Sequence, residues 1–101
     1  MIKTNLIEED NRVVMTFEGR LDTSVAVKTG LEMKPLRERK NTTIELDLTG
    51  LTYIASSGLR LFLTLLQSAR ANGNTVVATG MSPYIRSVFD ETGFTRLFRL
   101  V

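Results

Sequence analysis

The sequence predicts an α/β domain: a mixed sheet of four to five strands, opened by an antiparallel hairpin, with helices packed on it. Three observations carry that expectation. Two β-patterned stretches, residues 2–8 and 12–18, are separated only by the turn chemistry of Glu9-Asp10-Asn11, a connection short enough to pair them antiparallel. Two later stretches, 43–48 and 74–79, are each followed by a helical pattern, and crossovers through single helices make sequential strands parallel with nearly fixed handedness. The chain has 101 residues and no long low-complexity run, so one domain, residues 1–101, is expected around one core.

In order, Ile2 to Glu8 alternates weakly, and Arg12-Val13-Val14-Met15-Thr16-Phe17-Glu18 is the firmer partner strand. Gly19 to Ser24 leaves that strand and opens a helical segment, with Asp22, Thr23 and Ser24 as competing caps. Val25 to Lys40 is less regular. Val27 and Leu31 lie one turn apart, Met33 and Leu36 repeat the pattern, and Gly30 and Pro35 interrupt it. Proline lacks an amide and clashes with the preceding turn, so a kink, a break or two short pieces are expected near Pro35. Lys34, Arg37, Arg39 and Lys40 then cluster at the end of the segment, where cations suit a helix's negative pole.

Thr43 to Leu48 alternates with Ile44, Leu46 and Leu48 on one face, and a turn is expected at Thr49-Gly50. From Ser56 the period becomes 3.6, with Leu59, Phe62, Leu63, Leu66 and Ala69 on one face and Arg60, Thr64, Gln67 and Ala71 on the other. Ser56 or Ser57 is the expected N-cap, and Gly73 the left-handed terminator. Asn74 to Thr79 reads as a buried strand between Gly73 and Gly80. Ser82-Pro83 starts another helix in the preferred order, cap then proline, with Ile85, Val88 and Phe89 on one face and Gly93 at its end. Phe94 to Val101 supplies a short last strand or a docking segment.

Composition excludes several classes of chemistry. The net charge of only +2 argues against a dedicated polyanion binder, so no nucleic-acid partner is expected. Cysteine and histidine are both absent. There is accordingly no thiolate or imidazole metal site and no Ser-His-Asp triad, and no cofactor or metal is expected. The P-loop pattern and the Gly-x-Ser-x-Gly elbow are missing too. No run has the length of a bilayer-crossing helix and the first residues lack signal-peptide character, so the expectation is a cytoplasmic chain without stable membrane insertion.

The loops that leave the carboxyl ends of the parallel strands, 19–24, 49–57 and 80–83, are expected on one edge of the sheet, where ligands of open α/β sheets usually bind. Asp22, Ser56, Ser57 and Ser82 would face a common region there. Unpaired amides and the macrodipole favour negative charge at the helix start, so a phosphate on either serine would meet donors already in place. Taken on chemistry alone, capping is the commoner use of such serines.

Four pieces in fixed order resemble a known family: Phe17-Glu18-Gly19-Arg20-Leu21-Asp22, Glu45-Leu46-Asp47-Leu48-Thr49-Gly50-Leu51, Ser56-Ser57-Gly58-Leu59-Arg60 and Thr92-Gly93-Phe94-Thr95-Arg96-Leu97-Phe98. The sequence resembles the STAS domain and, within it, the small free-standing anti-sigma-factor antagonists of bacteria, which act in transcription by partner switching. The resemblance implies a STAS-like fold and a binding protein rather than an enzyme. It implies that the unphosphorylated form binds an anti-sigma factor with serine-kinase activity, which holds the ATP, and frees the sigma factor. Phosphorylation at the helix start then releases the partner. By the resemblance the acceptor is Ser56, with Ser57 as runner-up, and Asp22, Ser56, Ser57, Gly58 and Arg60 form the partner-binding set of a monomer or weak dimer.

Many antagonists carry an acidic residue just before the acceptor, where this chain has Ala55. The alternative is therefore a STAS subunit of another assembly, a stress-signalling complex or a lipid-transport system, that binds protein without phosphorylation. An enzyme using Ser56 with Asp22 or Asp47 as base is disfavoured, because the usual nucleophile-activating partners are missing near the junction. Nucleotide binding by the domain itself lacks a residue set that would recognise a base.

Overall fold

The computed structural model describes residues 2–100. Strand β1 (Ile2–Glu8) and β2 (Arg12–Leu21) form the expected antiparallel hairpin. β3 (Thr43–Ile54), β4 (Thr75–Thr79) and β5 (Arg99–Leu100) then follow in the spatial order β1-β2-β3-β4-β5, with β2 through β5 parallel. The connections are α1 (Ala26–Glu32) with α2 (Lys34–Arg37), then α3 (Ser56–Asn72) and α4 (Pro83–Thr92). Each crossover joins adjacent strands in the same direction, so right-handedness puts all the helices on one face. The alternation agrees: Val13, Met15, Phe17, Ile44, Leu46, Leu48, Val76 and Ala78 are buried. Between them the opposite face carries polar groups, where Glu45 accepts from Arg12 and from Thr79 Oγ1 at 3.1 Å.

The helix layer meets the sheet in one apolar core centred on Phe62. Its ring lies edge-on to Phe17, Phe89 and Phe98, with centroids 5.5, 6.3 and 6.4 Å away, an arrangement aromatic quadrupoles favour. The buried face of α3 is Gly58, Phe62, Leu65 and Ala69. Leu65 therefore replaces Leu63, which is exposed, while Leu59 and Leu66 flank the core half-buried. The face expected to be polar, Arg60, Thr64, Gln67 and Ala71, is exposed throughout.

Three further sequence expectations need correction. β2 does not end before Gly19, and no turn interrupts the chain at Thr49-Gly50: both strands continue to a shared end at Leu21 and Ile54. Register shifts between Thr16 and Glu18 and between Gly19 and Arg20 absorb the bend. Gly19 takes φ 104 there, and Asp47 Oδ1 accepts from Thr49 N and Oγ1 at 3.1 and 2.7 Å. The third correction concerns Val27 and Leu31, which do not join the core. α1 buries Ala26 and Thr29 instead and leans on α3 at Gly30, where a Cβ would lie 3.0 Å from Leu61 Cδ2.

The break near Pro35 takes the form of two short helices meeting at Met33, with the proline in the first turn of α2, where its missing amide costs nothing. The basic cluster that follows disperses. Arg37 donates to the carbonyl of Gly30, and Arg39 reaches the hairpin turn at Glu9 O, 2.7 Å. At the carboxyl end a 3-10 turn over Phe94–Arg96 precedes β5, a two-residue strand. Val101 lies outside the described residues.

Candidate functional site

The parallel ladder sets the geometry of the rim. Leu21 and Ile54 are the last paired residues of β2 and β3, and Ala55 N donates to Leu21 O at 2.9 Å. This bond ties the chain leaving β3 to the chain leaving β2. Asp22, extended at φ −98 and ψ 178, is the cap among the three candidates. Its Oδ1 accepts from Ser24 N at 3.0 Å and from Ser24 Oγ at 2.6 Å, opening a 3-10 turn over Thr23–Val25. The Ser24 hydroxyl is the main cause holding the Asp22 carboxyl below the usual carboxylate range, helped by the Ser24 amide and opposed by burial.

The start of α3 corrects the capping expectation. The N-cap is Ala55, at φ −88 and ψ 168, which has no side-chain oxygen to offer. Ser56 and Ser57 lie inside the first turn. The register follows from packing: Gly58 is buried so tightly that a Cβ would sit 2.7 Å from Leu21 Cγ and 2.9 Å from Ile54 Cγ1. With Gly58 pressed against both strand ends, the extended residue falls at Ala55. The amides of Ser56, Ser57 and Gly58 consequently have no hydrogen-bond partner among the described residues.

The two serines differ. The Ser56 side chain is exposed and makes no hydrogen bond among the described residues, whereas Ser57 is half-buried and its hydroxyl faces Thr23 Oγ1 at 3.4 Å. Leu21 and Thr23 thus touch Ala55 and Ser57, which puts Asp22, Ser56 and Ser57 on one rim. Arg60, one turn further, is exposed and forms no ion pair among the described residues.

Ser82 does not join this group: its hydroxyl accepts from Ile85 N at 3.2 Å as the cap of α4. β4 also stops where Thr79 pairs with Asp47, well before the end of β3. Sequence reasoning missed a neighbouring stack. Arg20 Cζ lies 4.2 Å from the ring centroid of Tyr53, its cross-strand partner, and Tyr53 stacks on Tyr84 at 6.5 Å between centroids. Only the continuation of both strands past the bulge makes Arg20 and Tyr53 neighbours, so the signal lay in Gly19. Among the described residues no group of three or more Asp or Glu side chains could hold a metal ion, and no helix is long and apolar enough to cross a membrane.

The comparisons with known proteins cover nearly the whole chain. BtrV of Bordetella bronchiseptica is 26% identical over 97 residues, 96% of this chain and 84% of that protein. The anti-sigma-B factor antagonist of Staphylococcus epidermidis is 26% identical over 94 residues, 93% of this chain and 87% of its own. Among solved structures, the anti-sigma factor antagonist SpoIIAA in its unphosphorylated form superposes with a TM-score of 0.75 at 21% identity, covering 98% of this chain and 87% of that one. The phosphorylated form of the Bacillus protein gives 0.74 at 21% identity, covering 98% and 91%. These superpositions establish the shared fold. The family model described as Mlab, STAS domain, matches residues 5–101, and with it the chain belongs to the STAS domain family.

Proposed function

We propose that this chain is an anti-sigma-factor antagonist: its unphosphorylated form binds an anti-sigma factor with serine-kinase activity and frees the sigma factor, and phosphorylation of Ser56 releases the partner. The observation that carries the reading is the state of Ser56, an exposed hydroxyl without a hydrogen-bond partner among the described residues, in the first turn of a helix whose N-cap is alanine. A phosphate there adds about −1.5 to −2 charges. The idle first-turn amides and the helix dipole stabilise that charge within the domain, while in a close interface beside Asp22 it repels and is costly to desolvate. Release then needs no rearrangement of the fold. Ser57 is the poorer acceptor, being half-buried against Thr23. The partner brings the ATP, and Asp22, Ser57 and Arg60 complete the binding rim, with Gly58 buried beneath it and holding the turn in place. The names of the relatives from Staphylococcus epidermidis and of SpoIIAA support the role.

The test is incubation with a candidate anti-sigma-factor kinase and ATP, followed by mapping of phosphoserine. Label is expected on the wild type and on Ser57→Ala, and absent from Ser56→Ala. Label retained in both variants moves the acceptor elsewhere. One observation favours a second reading, a STAS subunit that binds protein without phosphorylation: Ala55 stands where many antagonists have an acid. Tight partner binding with no label under any kinase would support it.

A further inference from the structure

The exposed apolar side chains of α1 continue the rim. Val27 and Leu31 are 80% and 69% exposed. Their direction is fixed by their neighbours. Ala26, Thr29 and Met33 are buried, Gly30 faces Leu61 of α3, and Glu32 on the far flank accepts from Thr4 Oγ1 of β1 at 2.9 Å. With 3.6 residues per turn, Val27 and Leu31 fall between the Gly30 direction and solvent, on the α3 side. On α3 the row facing them runs through Ser57, Leu61 and Ser68, anchored at its two ends by Thr23 and by the carbonyl of Arg37. Val27 lies one helical turn past Thr23. The apolar ridge is therefore continuous with the rim that carries Ser56.

We infer that Val27 and Leu31 are the apolar anchor for the partner protein that reads Ser56, an inference that rests on the function proposed above. The partner presents an apolar cleft bordered by carboxylate, because Lys28, next to Val27 on α1, is exposed and forms no ion pair among the described residues. A second copy of this chain fits less well, since a two-fold contact would set the same cationic border on both sides. The two parts divide the work. The ridge buries apolar surface whatever the state of the serine, and the hydroxyl at Ser56 decides release.

Calorimetric titration with the anti-sigma-factor kinase tests this on three proteins: wild type, Ser56→Glu and the double variant Val27→Ser, Leu31→Ser. The double variant is expected to weaken binding at least about tenfold, with a wild-type melting temperature because both side chains face solvent. Ser56→Glu is expected to weaken it independently. Wild-type affinity in the double variant, with Ser56→Glu impaired, overturns the anchor and leaves the proposed function standing. A double variant that loses only self-association also overturns it. A wild type that binds no such partner removes both inferences.

Discussion

α3 and α4 both follow parallel strands of one sheet, yet they begin in opposite ways. α4 opens with Ser82, whose hydroxyl accepts from Ile85 N, followed by a proline in the first turn. α3 opens with an alanine, and its serines sit one and two places further in. A missing cap of this kind costs about 1 kcal/mol. The α3 start nevertheless holds, because Gly58 is clamped against Leu21 and Ile54 and the Ala55 amide is bonded to Leu21 O. Packing and the ladder replace the cap, and the first-turn donors and the Ser56 hydroxyl are left over for another use.

The largest break in that comparison comes from filling the clamp. Gly58→Val drives methyl groups into Leu21 and Ile54, and overpacking of this type is expected to cost about 3 kcal/mol, read from the denaturant midpoint. A loss under about 0.5 kcal/mol would mean that α3 is held some other way. Next in size is Ser82→Ala, which removes the cap of α4 and is expected to cost about 1 kcal/mol. Giving α3 what α4 has should have the reverse sign. Ala55→Asp supplies an acceptor and a negative charge to the open first turn and is expected to add about 1 kcal/mol at neutral pH. Binding the dipole depresses the carboxyl's folded pKa, so that gain exists above the unfolded value of about 3.9 and fades as pH falls through the folded one. Ser56→Ala sharpens the contrast, with an expected stability change within about 0.5 kcal/mol, since its hydroxyl makes no bond among the described residues. A cost equal to that of Ser82→Ala would show that Ser56 is a cap after all.

The same contrast explains what could be read from the residues. The start of α4 was legible because Ser82-Pro83 carries its own local code and nothing tertiary competes with it. At α3 the same kind of reasoning placed a serine at the cap. The outcome was decided by the contact of Gly58 with two strand ends distant in sequence, and propensity cannot register such a contact. The parallel run of β2, β3 and β4 and the rim shared by Asp22, Ser56 and Ser57 followed from the order of elements alone, whereas Ser82, expected there too, is set apart because β4 stops short of the end of β3. The ends of β2 and β3 did not, because a bulge at Gly19 looks like a strand exit until its partner strand is placed beside it. α1 was misread for a related reason. Val27 and Leu31 are the larger apolar residues, but Ala26 and Thr29 are the ones buried and Gly30 is the one that lets α1 approach Leu61 of α3, and the ridge left outside became visible only then.

The smallest effect lies in Asp22, across the rim from the uncapped start. Its carboxyl is held below the usual range chiefly by the Ser24 hydroxyl. A depressed folded pKa means that its contribution is fully present above the unfolded value of about 3.9 and is lost as pH falls through the lower, folded one. Asp22→Asn keeps an oxygen that can accept from Ser24 and should abolish this part of the acid dependence, together with the small neutral-pH contribution it reflects. Carbon-detected titration of the Asp22 carboxyl checks the shift directly, and an ordinary pKa would mean that the Ser24 bonds do not persist in solution. The result bears on the proposed switch as well. A carboxylate satisfied by Ser24, and not by either serine of α3, keeps its charge on the rim at every physiological pH, where the phosphate proposed for Ser56 would add to it.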